Sequence, residues 1–351
     1  MNNMMQKVAI MEPANPVKST GIINGLSSGI LNWNDIAYPS FYRTYRELMS
    51  NFWIPQEVNM SPDSKSIVEL SDEELRAYKL TIGLLATLDT PQARLIHSVS
   101  EYVSDDSVHA IAAVIAQQEV VHNESYSYAL SSLFSYEEQK QIFDDARVNP
   151  TIIARNERVM AAYDDFLQEP TEEKLVRVII YSIILEGIFF YTGFAYFYNL
   201  ARQQKMNATA QIISFINRDE LVHGKFMSEL LRAVLGENPR LNTEELTSFI
   251  EQEFKYAVES EIEWSNEVLE GLVGIDIDEM HTYIKYRANK MLKTLGIDPI
   301  YEDALENACR GLKHLSTTSM KRKPISLKRE TVATRKSTPI TALMNSKYRA
   351  T

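Results

Sequence analysis

Glu119-Val120-Val121-His122 and, 101 residues later, Glu220-Leu221-Val222-His223 are the two stretches whose reading decides the fold. Residues three apart on an α-helix are neighbours on one face, so each stretch sets a carboxylate beside an imidazole. Upstream of each lies a run with one acid among apolar residues, Leu88-Asp89-Thr90 and Leu185-Glu186-Gly187. The gaps from lone acid to motif are 30 and 34 residues, one helix plus a connection. The chain thus holds two similar helix pairs, each offering two acids and one histidine.

A carboxylate in an apolar helix is costly unless something cancels its charge. The sharpest case is Val178 to Leu200, 23 residues in which Glu186 is the single charge. That length could cross a bilayer, but a mid-segment acid is expensive in lipid and no second comparable stretch exists. The expectation is a helix buried on all sides, with a carboxylate that needs a partner, and no membrane span. Two divalent cations shared by four carboxylates and two imidazoles meet that need. Oxygen-rich ligands with one imidazole per ion suit two Fe or two Mn ions. The expected fold is all-α, a ferritin-like helical bundle with a dinuclear carboxylate metal site in its core.

One acid three residues before a histidine is often an accident, and the chain contains such cases. Asp106 precedes His109 and Asp278 precedes His281 by the same spacing, in polar or helix-start contexts with no lone-acid helix upstream. They read as surface groups. His97 and His314 have no acid at that spacing. Only the two Glu-x-x-His motifs come each with its own buried-acid helix.

The rest of the chain suits a helical bundle. Among 351 residues, 45% are hydrophobic and 24% charged, with 12 Gly and 12 Pro, an ordinary globular composition that allows long helices. Residues 1–30 lack sustained periodicity and read as an arm, followed by a helical domain over 31–315. Amphipathic spacing begins near Trp33. Ser71 with Glu74 forms a capping box, opening a helix that continues past Asp89 despite Pro91. Further helices are expected over about 107–134, 151–168, 172–204, 207–235, 243–271 and 276–295, with Gly236 and Gly296 as C-caps. No stretch alternates as a strand would.

Charge and cysteine narrow the functional classes. The net charge of −11 argues against a nucleic-acid binder. The single cysteine, Cys309, fits a reducing cytoplasm and can supply neither a disulfide nor a zinc or dithiol site. No basic n-region and apolar h-region open the chain, so no signal peptide is expected. From Lys321 to Thr351 nine Lys/Arg face the single acid Glu330, a net of +8 that leaves −19 for the preceding 320 residues. Residues 316–351 read as a basic, disordered tail.

With these residues in place, the sequence resembles the radical-generating small subunit of class I ribonucleotide reductase from about Trp33 to Leu315. The resemblance rests on Phe52-Trp53-Ile54-Pro55, Leu88-Asp89-Thr90, Glu119-x-x-His122 with Ser125-Tyr126, Leu185-Glu186 with Phe190-Tyr191-x-Gly193-Phe194, and Arg218-Asp219-Glu220-x-x-His223-Gly224. The Phe190-to-Phe194 and His223-Gly224 versions, with Ala288-Asn289-Lys290 before Leu295-Gly296-Ile297-Asp298-Pro299, are most similar to class Ib.

The resemblance implies that Asp89, Glu119 and His122 hold one metal and Glu186, Glu220 and His223 the other. It implies that Tyr126 is oxidised to a tyrosyl radical. Spacing agrees, because Tyr126 lies one turn beyond His122, whereas Tyr128 should point elsewhere. Phe190, Phe194 and Ile216, spaced by four or eight residues from ligands, would form the apolar pocket around the radical. Trp53 and Asp219 would relay the oxidising equivalent to a large catalytic subunit, without which this chain is inactive. The resemblance also implies a homodimer and, if the metals are manganese, a flavodoxin-like activator.

The family's C-terminus is usually acidic and hydrophobic and docks the large subunit. Here it is basic, with Tyr348 only three residues from the end as a candidate relay tyrosine. Two other functions use the same bundle: an R2-like ligand-binding oxidase and an iron-binding protein without radical chemistry. Tyr126 with Trp53 and Asp219 favours the radical subunit over both.

Overall fold

Strong local start signals and buried apolar faces make this chain helical. In the computed structural model, which describes residues 4–305, eleven α-helices follow one another with no strand among the described residues. They are α1 Pro39–Ser50, α2 Ser61–Ser66, α3 Asp72–Ser100, α4 Asp106–Leu133, α5 Tyr136–Val148, α6 Pro150–Gln168, α7 Glu172–Ile184, α8 Tyr191–Arg202, α9 Asn207–Glu237, α10 Glu244–Leu269 and α11 Ile277–Leu295. Tail residues 316–351, with Tyr348, and also Cys309 and His314 lie outside the described residues.

The capping box at Ser71 closes as read: Glu74 N donates to Ser71 Oγ at 3.2 Å, and Ser71 N to Glu74 Oε2 at 2.9 Å. α3 then runs through Pro91 for 29 residues. Asp105, Asn149, Thr171 and Thr243 cap four more helices with their side chains. Gly296 ends α11 in the left-handed region at φ 79°. Gly236 does not play that part, because α9 continues through it to Glu237.

Two departures from the expected helices matter. α5 was not expected; its polar sequence buries only Ile142 and Ala146, so its apolar stripe is faint, although Ser135 and Glu138 form a capping box. The expected helix over 172–204 is interrupted at Leu185–Phe189 by one π-helical turn that contains Glu186. π-Turns recur at functional sites.

α3 packs along α4 and α7 along α9, the two helix pairs expected from the repeated spacing, and α4 meets α9. The apolar span Glu172–Arg202, long enough by composition to cross a membrane, has its whole apolar window buried inside this bundle. Among the described residues no helix precedes Pro39. The N-terminal segment is nevertheless pinned to the body: Ile22 N donates to Glu237 Oε2 at 2.7 Å, Ser104 N to the Ile22 carbonyl at 2.7 Å, and Ile22 is fully buried.

Candidate metal centre

The six expected ligands come from four stretches of helix, and packing brings them together. Asp89 stands on α3, Glu119 and His122 on α4, Glu186 on the π-turn, Glu220 and His223 on α9. All six are fully buried. Their donor atoms form two overlapping groups, Asp89–Glu119–His122 and Glu119–Glu186–Glu220–His223, each with ligand atoms within 4.8 Å of one another.

The distances refine the simple three-and-three division. Glu119 approaches both imidazoles, at 3.3 Å from His122 Nδ1 and 3.1 Å from His223 Nδ1. Glu220 does the same, at 3.0 and 2.8 Å. Asp89 reaches only His122 Nδ1, at 4.0 Å, and Glu186 only His223 Nδ1, at 3.8 Å. Two central glutamates therefore sit where they can bridge, with one terminal acid at each end.

This arrangement makes little sense without cations. Both Oδ atoms of Asp89, both Oε atoms of Glu119, Glu186 Oε2, Glu220 Oε1 and His122 Nδ1 have no hydrogen bond of acceptable geometry. Such orphaned buried groups are rare and costly. Burial, then the nearby glutamates, pushes the Asp89 and Glu186 carboxyls well above the usual carboxylate range. Burial opposes ionisation of Glu220 too, yet His122 and His223 hold it well below that range. Burial also disfavours the protonated imidazoles, but Glu220 pushes both well above their ordinary value. In a metal-free chain, protons must supply the positive charge that two ions would bring. The donor set, oxygens with one imidazole nitrogen per site and no thiolate, fits a dinuclear iron or manganese centre.

Beyond the ligands, each imidazole is oriented by its other nitrogen. His223 Nε2 meets Gln118 Oε1 at 2.9 Å, and His122 Nε2 faces Asp219 Oδ2 at 3.4 Å. A hydrogen on Nε2 in each case leaves the Nδ1 lone pair for a metal. Asp219 Oδ2 also accepts from Trp53 Nε1 at 2.8 Å, and the Trp53 and His122 rings stack at 6.2 Å between centroids. Glu186 Oε1 accepts from Gln92 Nε2 at 2.6 Å; Gln92 in turn bonds Ser182 and accepts from the Tyr163 hydroxyl at 2.8 Å.

Gln118, Gln92, Ser182 and Tyr163 were not singled out from sequence. Gln118 directly precedes Glu119, but its partner His223 is 105 residues away. No spacing rule could pair them.

Tyr126 is fully buried beside Asp89, and its hydroxyl closes no hydrogen bond of good geometry. Burial, then the Asp89 charge, pushes the phenol well above its ordinary range. Tyr128 turns away, donating to the Val58 carbonyl at 2.9 Å. Phe190, Phe194 and Ile216 are buried, and the two phenylalanine rings stack at 5.8 Å. The decoys remain apart. His109 faces the Ser100 carbonyl at 3.5 Å and His281 bonds Asn266 at 2.7 Å, and neither joins a group that could hold a metal.

Fold and site together define a helical-bundle metalloprotein with a dinuclear carboxylate–histidine centre. Residues 30–308 match the family model described as ribonucleotide reductase, small chain, and the chain belongs to that family. A ribonucleoside-diphosphate reductase subunit beta from Halalkalibacterium halodurans is 39% identical over 310 residues, 88% of this chain and 90% of that one. The ribonucleotide reductase R2 subunit from Clostridium botulinum superposes with a TM-score of 0.87 at 32% identity, over 90% of this chain and 99% of its own. Dimanganese(II)-NrdF of Streptococcus sanguinis superposes with a TM-score of 0.72 at 26% identity, over 82% and 98%. The chain is a ribonucleoside-diphosphate reductase small subunit, and its role implies a large catalytic subunit as partner. Nothing in these likenesses favours a ligand-binding oxidase or an iron-storage protein.

Proposed function

We propose that Tyr126 is the residue this subunit oxidises to a radical, and that the oxidising equivalent leaves through Asp219 and Trp53. Asp89, Glu119 and His122 hold one metal, and Glu186, Glu220 and His223 the other, with Glu119 and Glu220 able to reach both. Metals bound there would, once oxidised, supply the potential to take one electron from Tyr126. The observation that carries the reading is the Tyr126 hydroxyl, buried, free of a good hydrogen bond and set beside Asp89. Loss of the electron releases the phenolic proton, and the Asp89 carboxylate is the acceptor at hand.

The surroundings suit a long-lived radical. Phe190 and Phe194, just past the turn that bears Glu186, and Ile216 on α9 form an apolar wall that keeps water and reductants away. Trp53 donates to the Asp219 oxygen that faces His122, while its neighbours Phe52 and Ile54 are exposed. The relay thus ends one residue from the surface, where the large subunit docks.

A second copy of this chain covers exposed apolar side chains of α1, α4 and α9, Tyr42, Met49, Val120 and Leu221, making a homodimer. With manganese, a reduced flavodoxin-like protein serves as activator. The site of action is the cytoplasm. The N-terminal arm and the basic tail are accessory to the helical domain.

The test is reconstitution with Fe(II) and O2, and with Mn(II) plus a reduced flavodoxin-like protein, followed by EPR. A tyrosyl doublet is expected in the wild type. It disappears in Tyr126→Phe while two metals per chain remain. A doublet that survives in Tyr126→Phe sinks the assignment.

A further inference from the structure

The one expected metal ligand that does not stand on α-helical backbone is Glu186. It lies in the π-turn Leu185–Phe189, inside a segment that is apolar on every side. A helix with no polar stripe has nothing local to fix its phase. One extra residue in a turn rephases every side chain after it, so the placement of the turn decides where Glu186 points.

Contacts from three other helices fix that placement, and they fall on the residues just after Glu186. Arg287 of α11 donates from Nε to the Gly187 carbonyl at 3.0 Å, and its guanidinium lies 3.4 Å above the Tyr191 ring. Arg155 of α6 donates to the Phe189 carbonyl and lies 4.1 Å over the Phe189 ring. Glu261 of α10 holds Arg155 through Nε at 2.7 Å and Nη2 at 2.5 Å. Gly187 packs so tightly on Met291 that a Cβ there would come within 2.6 Å of Met291 Cγ.

Arg155 and Glu261 are as buried as the ligands themselves. A buried ion pair is expensive and is often replaceable by apolar residues without loss of stability; fixing a register is its best-attested use. Polar side chains that occupy the carbonyls of a π-turn hold it at one position along the helix.

We propose that Arg155, with Glu261, and Arg287 are positioning residues that lock the π-turn and thereby hold Glu186 in place for the second metal. The proposal rests on Glu186 being a metal ligand. It makes the second site, not the first, dependent on residues far outside the ligand set.

The test uses the full chain and Mn(II) alone, reading stoichiometry, affinity and the spin-coupled Mn(II) pair signal by EPR. Arg155→Met with Glu261→Leu removes the pair without leaving a lone buried charge. The metal-free melting temperature is expected to stay close to wild type. The first Mn(II) binds as before, the second about 10–100-fold more weakly, the range for loss of groups that orient ligands, and the coupled signal fades. Arg287→Met, which removes the donor to the Gly187 carbonyl, weakens the second site in the same way, and Arg287→Gln, whose Nε2 stands where the arginine Nε donates, restores part of it.

If the double variant fails to fold, the Arg287 pair decides by the same readout. Wild-type affinity and coupling at both sites in the double variant and in Arg287→Met overturn the proposal. Glu186→Ala is the control: if it too binds two Mn(II) normally, the ligand assignment itself has failed.

Discussion

The two halves of the metal centre carry the same ligand types on different backbones. In the first half, Asp89, Glu119 and His122 stand on unbroken α-helices, and both Asp89 oxygens lack partners. In the second, Glu186 stands on a π-turn with one oxygen held by Gln92. Their imidazoles also look outward to different groups. His122 faces the charged Asp219, which connects to Trp53, and His223 faces the neutral Gln118. The first half thus borders Tyr126, Asp219 and Trp53, while the turn of the second is contacted by Arg155 and Arg287. Local spacing supplies equivalent ligands, and what each half can do is set by partners from elsewhere in the chain.

That comparison can be broken most severely at the residue both halves share. Glu119→Ala removes an acid within 3.3 Å of both imidazoles, and both metals are expected to be lost. Asp89→Ala, which touches one end, should leave close to one ion per chain by elemental analysis. Equal losses in the two variants would erase the distinction between bridging and terminal acids.

Asp219→Asn separates the outward route from the metal site. It keeps the size of the side chain but weakens its hold on His122 Nε2 and Trp53 Nε1. Nucleotide reduction with the large subunit should fall by roughly 10³–10⁴, the scale seen when an Asp orienting a catalytic His becomes Asn. Two metals and the tyrosyl doublet should persist. A proportional loss of the doublet would place Asp219 in radical formation instead.

A smaller effect concerns pH and the metal-free chain. Asp89, Glu186 and both histidines have raised values in the fold. A raised group binds its proton more tightly when folded, so its contribution is complete below its unfolded value and is lost as pH rises through the folded one. Glu220 is lowered and works the opposite way, but only as pH falls below the ordinary carboxylate range. The chelator-treated chain should therefore melt at least about 2 °C lower at pH 8 than at pH 5.5, the scale of about 1 kcal/mol in a large domain. Metal loading should flatten or reverse that slope, because binding displaces the protons. A metal-free chain that is more stable at pH 8 would contradict it.

The smallest expected effect is at Tyr128. Tyr128→Phe deletes one hydrogen bond to the Val58 carbonyl and should cost about 1 kcal/mol in denaturant unfolding, with metal content and the radical unchanged. Any loss of radical there would bring Tyr128 into the site that Tyr126 is assigned.

Much of the centre was legible because it obeys local rules. Glu119/His122 and Glu220/His223 follow from helical neighbour spacing, and Asp89 and Glu186 stand out as acids in apolar runs. Ser71 and Glu74 announced the start of α3. The faint α5 escaped because a helix that buries two side chains writes almost no periodicity. Gly236 misled because glycine is allowed inside a helix as well as at its end, and α9 gains by continuing.

What the sequence determined by itself is the set of candidate ligands and the helices that bear them, since both depend on residues within a turn or two of one another. The tertiary structure decided the rest. Asp63 of α2 accepts from Ala208 N at 2.8 Å and Thr209 N at 2.6 Å, starting α9 from 145 residues away. Gln118 orients His223, Arg155 and Arg287 reach the π-turn, and Glu119 and Glu220 meet both imidazoles, all across helices. Side chains from distant segments meet only after packing, and a one-dimensional pattern carries no record of which buried faces will touch.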